Sequence, residues 1–464
     1  MIRLDVAVIG GGFCGCAVAA HLSRSASGHV ALALFEPDEL GRGAAYGSRH
    51  AEHLLNTRAG AMSMFADDPQ HFVRWLGPRG SPTDFVSRRL YGEYVGDVAR
   101  PLFGRGRFTL VREAVGHVRP YGAGFVVTSN GGTQFAADRV VLATGNPPPN
   151  DDFLPAEVRI HPGYVGNPWN FDFRTVGGHV LVLGSGLSAL DVIGALGASG
   201  HRGRISVLSR RGHYPEVHAE VLPYDLIVAL DTHDARALLR SFRAHVRTAQ
   251  RRGFDWRAVV DALRNDSETL WRRLPPAEQR RFDRHLRSRW DRRRHRAPAE
   301  VDAVRAAYER EGRLATYAGR LQGFVAGEAT IALRDGSSAT LHPDWIVNCT
   351  GVGKAAMLAR DPLIRQLLED GLVAADSHGV GLRVDGTLSA LASDGAPVER
   401  LKVLGSLVRG CRFEATAVPE LRVMAADVAT RISAQLRCAE GTAASSTAEK
   451  RENLVAAASW AATL

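Results

Sequence analysis

Lysine is almost absent from this chain. Of 58 Lys and Arg residues only three are lysine, Lys354, Lys402 and Lys450. With alanine and glycine abundant, so lopsided a use of arginine reads as genomic bias, and the formal net charge of +9 then says little about partners. A basic surface attracts nucleic acid and anionic substrates alike; on charge alone both stay open, and nucleic acid is not the expected partner. Cysteine is scarce too. The five, Cys14, Cys16, Cys349, Cys411 and Cys438, are an odd and scattered set, which argues against a disulfide framework and for a reducing cytoplasm. There is no Cys-x-x-Cys pair and no Cys–His metal spacing, so no metal is expected. Cys14 and Cys16, two apart at the start of a helix-like run, point to different faces and make a poor redox pair. No apolar run reaches membrane-spanning length, and the first residues enter a strand at once, without a signal-peptide pattern. No membrane partner is expected. A hydrophobic content of 45% and a charged content of 23% are those of a soluble globular protein, and 464 residues suffice for two or three domains.

What the chain does have is glycine, 48 in all, and two clusters of it carry the argument. Val6-Ala7-Val8-Ile9 runs into Gly10-Gly11-Gly12-Phe13-Cys14-Gly15, and 174 residues later Val180-Leu181-Val182-Leu183 runs into Gly184-Ser185-Gly186-Leu187-Ser188. Each is an apolar strand followed by a turn and a helix-like run. Gly10-x-Gly12-x-x-Gly15 fits a dinucleotide fingerprint. The first glycine permits the tight turn, the second lets backbone approach a pyrophosphate, and the third lets the helix pack on the strand. The helix N-terminus offers unpaired N–H groups to the phosphates. The next strand, Val30 to Phe35, ends in Glu36, 21 residues after Gly15, where a carboxylate accepts from ribose hydroxyls. In the second turn Ser188 and Ala189 stand where the third glycine would be. Its next strand, Arg204 to Leu208, ends not in an acid but in Ser209-Arg210-Arg211. An acid there would repel a 2′-phosphate, whereas arginine pairs with one in bidentate fashion, so the second site reads as one for NADPH. Asp191, one turn along the helix, reads as a packing or capping residue. Two such turns in one chain imply two dinucleotides face to face and electron transfer between them.

The fold class expected is α/β, with two Rossmann-like dinucleotide-binding domains and a helical insertion. Residues 1–150 form the first domain, closing with the strand Asp138 to Leu142, the turn Ala143-Thr144-Gly145-Asn146 and the prolines Pro147-Pro148-Pro149. Residues 155–178 read as a linker containing His161-Pro162-Gly163-Tyr164, and residues 151–350 as the second domain, ending at Asp344 to Gly351. A helical, arginine-rich stretch interrupts it at about 220–312. Leu238, Phe242 and Val246, and again Phe282, Leu286 and Trp290, recur at helical spacing. Arg292 to Arg296 reads as a solvated helix end, the alternative being a lid in which Trp290, Asp291 and His295 face a substrate. Residues 351–435 return to the first domain through the strand Leu401 to Gly405 and a final helix opened by Glu414 to Arg422, with Pro419 in its first turn. Residues 436–464 read as a loose tail, with Leu454 to Trp460 as an optional short helix.

The order of these parts resembles the two-dinucleotide-binding flavoproteins. Within them the chain is similar to the FAD/NAD(P)-binding group related to N-hydroxylating and Baeyer–Villiger-type (class B) flavin monooxygenases. The segments that carry the resemblance are Gly41-Arg42-Gly43-Ala44-Ala45-Tyr46-Gly47, His53-Leu54-Leu55-Asn56-Thr57, Phe85 to Gly92 and Thr416-Ala417-Val418-Pro419-Glu420-Leu421-Arg422. The resemblance implies FAD held by Gly10, Gly12, Phe13, Cys14, Gly15, Glu36, Arg42, Tyr46, Thr144, Gly145, Gly405, Thr416, Ala417 and Val418. It implies NADPH held by Gly184, Ser185, Gly186, Leu187, Ser188, Ser209, Arg210, Arg211, Thr350 and Gly351. Asn56 and Asn146, at the ends of apolar runs where an isoalloxazine would lie, are the candidate catalytic amides, the alternative being turn-capping. The reaction implied is oxygenation of a small nucleophile by O₂ through a flavin C4a-hydroperoxide, with N-hydroxylation of an amine or amino acid as the leading form. The chain departs from these relatives in two places. The Phe-x-Gly-x-x-x-His signature is missing, and in the Asp344…Thr350-Gly351 motif Asn348, Cys349 and Val352 replace an apolar residue, alanine and tyrosine. The substrate therefore stays open, as do an oxidoreductase without oxygenation, an RNA-modifying flavoprotein, a non-enzymatic FAD-binding protein and a homo-oligomer.

Overall fold

The computed structural model describes residues 1–25, 30–104, 108–146, 149–225, 233–351 and 360–438. Its first unit runs β1 (Ile2–Ile9), α1 (Phe13–Ser25), β2 (Leu32–Phe35), α2 (Gly43–Tyr46), α3 (His71–Leu76), α4 (Arg88–Ala99), β3 (Phe108–Val111), β4 (Val115–Tyr121), β5 (Gly124–Ser129) and β6 (Gln134–Leu142). After α5 (Ala156–Arg159) and β7 (Tyr164–Val165) come β8 (Val180–Leu183), α6 (Leu187–Ala198) and β9 (Ile205–Ser209). Six helices then stand between β9 and β10: α7 (Ala235–Arg251), α8 (Trp256–Ala262), α9 (Arg264–Arg273), α10 (Pro276–His285), α11 (Arg287–Arg294) and α12 (Ala299–Arg310). Strands β10 (Leu314–Val325), β11 (Glu328–Leu333), β12 (Ser338–Leu341) and β13 (Trp345–Asn348) follow. The chain ends with α13 (Pro362–Glu369), β14 (Ser389–Leu391), β15 (Pro397–Val403) and a helix α14 over 418–438.

The strands form two sheets with one plan. The first orders its parallel strands β3-β2-β1-β6-β15 and the second β10-β9-β8-β13-β7. In each, the strand before the glycine turn (β1, β8) lies between its successor (β2, β9) and a crossing strand that ends in Thr-Gly (β6, β13). The central strands are apolar without alternation because both faces are covered; Val6 to Ile9, β2 and β8 are buried throughout. In β8 the pleat sends Val180 and Val182 into one core, with Val207 and Val347, and Leu181 and Leu183 into another, with Leu208 and Ile346. β15 pairs with β6 in parallel, Leu401 opposite Val140 and Val403 opposite Leu142, so the chain does return to the first sheet.

Some expectations are revised. The linker is not all loop: Tyr164–Val165 adds the edge strand β7 to β13, and it approaches so closely at Gly163 that a Cβ there would sit 2.1 Å from the Asp344 carbonyl oxygen. The Phe282-Leu286-Trp290 stripe is not one helix, because the chain breaks at Leu286 between α10 and α11. The last helix runs past 436 to 438. Leu454 to Trp460, Pro147, Pro148 and Val352 lie outside the described residues. No helix among the described residues is long and apolar enough to cross a membrane.

Candidate functional site

The two glycine turns have the same geometry. Gly10 has φ +104° and Gly184 φ +108°, values that L side chains rarely adopt. A Cβ on Gly10 would lie 2.4 Å from the Ala143 carbonyl oxygen, and one on Gly184 would lie 2.3 Å from that of Cys349. Each turn is thus pinned against the end of its crossing strand, which continues into Thr144-Gly145 (φ +78°) or Thr350-Gly351 (φ +80°). A Cβ on Gly15 would fall 1.9 Å from the Gly10 oxygen, which holds α1 tight on β1.

The middle glycines differ. A Cβ on Gly12 meets nothing nearer than the Gly43 Cα at 3.7 Å, and one on Gly186 meets nothing within 4 Å. Gly186 sits at φ −81°, ψ −168°, open to any residue, and as the N-cap of α6 it supplies no side-chain cap. Nothing inside the protein asks for glycine at either place.

The other predicted residues fall around these turns. Both Glu36 carboxylate oxygens accept backbone N–H groups, from Gly11 at 2.7 Å and Asp38 at 3.0 Å, and an ionised carboxylate keeps further lone pairs for ribose hydroxyls. Asn146 Oδ1 is buried with no partner, a free acceptor at the end of the first crossing strand. Gly405 has φ +78°, and a Cβ there would sit 3.2 Å from the Cys14 Sγ. Phe13 stacks on Tyr91 at 6.3 Å and Tyr46 meets the same ring edge-on at 4.7 Å. Both are buried, so they form wall rather than rim. Arg42 is held by Glu39 (3.1 Å) and the Arg89 carbonyl. Asn56 accepts through its backbone carbonyl from His218 Nε2, 3.0 Å. Thr416 is exposed, and Ala417 and Val418 lead into α14.

A cavity of about 1410 Å³ opens beside the second turn. Ser185, Ser209, Arg210 and Arg211 line it together with the insertion and Phe413; Gly10, Gly12, Glu36, Asn56 and Asn146 do not. Ser185 Oγ donates to the His213 carbonyl and also bonds Ser209 Oγ, both at 2.8 Å, which fixes the loop that carries the arginines. Arg210 is exposed and forms no ion pair among the described residues; Arg211 reaches the Ser288 hydroxyl on α11. Burial, then the charges of Arg292, Arg211, Arg334 and Arg293, push His213 below its usual range. Arg292 to Arg296 is therefore not a solvated end. Arg292 pairs with Glu216 at 2.7 Å and lines the cavity with Trp290 and Asp291, while Arg294 lies 3.3 Å from the buried Glu414. The sequence pattern gives no sign of Arg243, Arg320 and Arg334, which only the tertiary fold brings to this wall.

Asn348, fully buried, holds the second Thr-Gly turn. Its Oδ1 accepts from the Thr350 hydroxyl (2.7 Å) and amide, and its Nδ2 donates to the Asn150 carbonyl (3.1 Å). Asp191, buried, lies 3.7 Å from Arg88 at the start of α4. Beside it His53, fully buried, bonds Ser48 Oγ at 2.7 Å and packs edge-on against Trp169. Burial, followed by the nearby His50 and Arg88, lowers His53 to about 3. The folded state thus holds it neutral, while the unfolded chain takes up a proton below 6.5. Stability from this group is full well above pH 6.5 and drains as pH falls toward 3, by roughly 2 kcal/mol between pH 6.5 and 4.5. A His53→Gln variant should show a flatter decline of Tm over that interval; parallel declines would refute the assignment.

Residues 7–147 match the family model described as FAD-NAD(P)-binding. The whole chain can also be set beside solved structures. It covers 93% of its length on 94% of the FAD-bound cadaverine monooxygenase of Erwinia amylovora (TM-score 0.62, 15% identity). It covers 92% on 99% of the L-lysine 6-monooxygenase of Pseudomonas syringae (0.61, 18%). It also covers 93% on 99% of the bacillithiol disulfide reductase of Bacillus cereus (0.56, 15%). At these identities the likeness is one of fold alone. A comparison with curated protein sequences found no match.

Proposed function

We propose that the protein is an FAD-dependent monooxygenase that draws electrons from NADPH and oxygenates a nucleophilic nitrogen, hydroxylating an amine. The observation that carries the reading is the pair of middle glycines, Gly12 and Gly186, each bare toward the outside on the same strand frame. Gly10 to Gly15, Glu36, Thr144 and Gly145 would hold FAD, and the orphaned Asn146 Oδ1 would accept from a ring N–H. Gly184 to Ser188, Thr350 and Gly351 would hold the nicotinamide dinucleotide, with Arg210 and Arg211 on its 2′-phosphate and no carboxylate at the end of β9 to repel it. When bound, the flavin supplies the redox chemistry with the coenzyme and with O₂. The chain's own work is to orient both groups and keep water out, and the insertion over the second turn serves the latter. The fold likeness to the cadaverine and lysine monooxygenases supports nitrogen as the atom oxygenated. The likeness to a disulfide reductase supports a thiol reading, but burial pushes Cys14 and Cys16 up to about 12. That suppresses the thiolate such chemistry needs.

Stopped-flow spectroscopy of the FAD-loaded protein tests the proposal. NADPH should bleach the yellow chromophore rapidly. Oxygenated buffer should then give a transient spectrum distinct from both the reduced and the oxidised states, and amines should shorten its life. Bleaching followed by immediate recolouring would replace oxygenation with a reductase or oxidase, and no bleaching with NADPH or NADH would end the two-dinucleotide reading.

A further inference from the structure

The insertion between β9 and β10 is built around a hollow. Helix α7 is amphipathic, with Leu238, Leu239, Phe242 and Val246 on one side, yet its only fully buried residues are Ala235 and Ala249. Phe242 and Val246 touch a small core of Tyr224, Ala249, Ala258 and Val259, but with Leu238 and Leu239 they also line the cavity, and Trp256, Leu263 and Leu286 extend the same wall from α8 and the chain around α9–α11. A stripe of this kind gains stability only when something apolar covers it.

The charge on the rim is as one-sided as the wall is apolar. Eleven arginines line the cavity against three carboxylates, Glu216, Asp283 and Asp291. Glu216 is taken by Arg292. Asp283 is shared by Arg287 (3.0 Å) and His378 (2.8 Å). Asp291 is pushed up to about 6 by burial. Arg243 and Arg289 form no ion pair among the described residues, and together with Arg292 they lie near enough to Arg293 to act on its charge. Arg210 and Arg211 are already enough to hold one phosphate in bidentate fashion. The cluster on α7 and α11 is left over.

We infer that this chamber binds an amphiphilic acid, its anionic head on Arg243, Arg289 and Arg293 and its apolar body along Leu239, Phe242 and Val246, and that the substrate class is an amine bearing such an acid head and apolar body. The inference rests on the proposed monooxygenase for its chemistry but not for its binding. A free amino acid has the head without the body and would leave the apolar wall against water. A chamber of this size exceeds the roughly 300–1,000 Å³ usual for a small-molecule site, which leaves room for a long chain or a fused ring beside the coenzyme.

The probe is dodecanoate, with dodecyltrimethylammonium as the same chain bearing the opposite charge. Each is titrated by calorimetry, below its micelle concentration, into FAD-loaded protein saturated with NADP⁺. Dodecanoate should bind saturably and the cation should not. Arg243→Glu should weaken dodecanoate at least tenfold, whereas Arg236→Glu, exposed on the same helix and outside the cavity, should leave it within twofold. Circular dichroism confirms that both variants are folded; should Arg243→Glu fail to fold, Phe242→Ser takes its place with the same expected loss. Strict competition with NADP⁺ would return all the arginines to the coenzyme. Equal binding of both detergents, equal loss in both variants, or no binding would each overturn the inference. No outcome depends on oxygenation, so the proposed reaction could fail while the chamber stands, and the reverse.

Discussion

Replacing Gly186 by valine should leave the protein folded and slow its reduction by NADPH about a hundredfold or more, a loss of about 2.7 kcal/mol. Position 186 has φ −81°, ψ −168°, and no atom lies within 4 Å of where a Cβ would stand, so valine fits the backbone and strains nothing. Its branched side chain would occupy the space through which the pyrophosphate has to approach the N-terminus of α6. Gly184→Val is the contrasting case. There the φ of +108° and a Cβ only 2.3 Å from the Cys349 carbonyl oxygen combine backbone strain of about 1–3 kcal/mol with a steric overlap that forces β8 and β13 apart. Gly184→Val should therefore lower Tm by many degrees, and Gly186→Val should not. The checks are Tm by calorimetry, FAD content by absorbance and the rate of bleaching by NADPH. Normal bleaching in the Gly186→Val protein would mean that no pyrophosphate passes this point. A bleaching defect accompanied by an equal loss of stability would mean that Gly186 serves the fold after all.

The same contrast explains what could be read from the amino-acid order. The glycine turns, the Thr-Gly strand ends and Glu36 were legible because each answers a local demand: a dihedral angle, a close approach, or a fixed distance along one strand–turn–helix unit. The insertion was legible only as amphipathic helices. Periodicity shows that Leu238, Phe242 and Val246 share a face, but not that this face borders a hollow as well as a small core. The break at Leu286 leaves no trace in the pattern because hydrophobic spacing continues across it while the backbone turns. Asn348 was visible only as a departure from an apolar position. Its reason is a hydrogen-bond set with Thr350 and Asn150, one partner being 198 residues away. The Arg88–Asp191 contact joins α4 to α6 across 103 positions, and no local signal announces such a meeting.

Removing the charges of Arg210 and Arg211 together should lower the preference for NADPH over NADH by about a hundredfold, because two charge-assisted hydrogen bonds at about 1.5–3 kcal/mol each disappear for one coenzyme and not for the other. The two side chains are differently prepared for the task. Arg210 is exposed and forms no ion pair among the described residues, whereas Arg211 is already oriented by the Ser288 hydroxyl on α11. Planting one of the pair against the insertion costs less ordering entropy when a phosphate arrives, so Arg211→Ala alone should account for more of the loss than Arg210→Ala alone. The double variant also cuts the tie between the β9 loop and α11. Any fall common to both coenzymes measures that tie, and the difference between them measures the phosphate. The experiment is the rate of flavin bleaching against the concentration of each coenzyme, compared as kcat/KM. An Arg210→Ala, Arg211→Ala protein that loses NADPH and NADH in equal proportion would show that these arginines shape the chamber wall and that selection of the coenzyme lies elsewhere. Retained NADH turnover with NADPH reduced to the same level would place the 2′-phosphate at the end of β9, where the missing carboxylate first pointed.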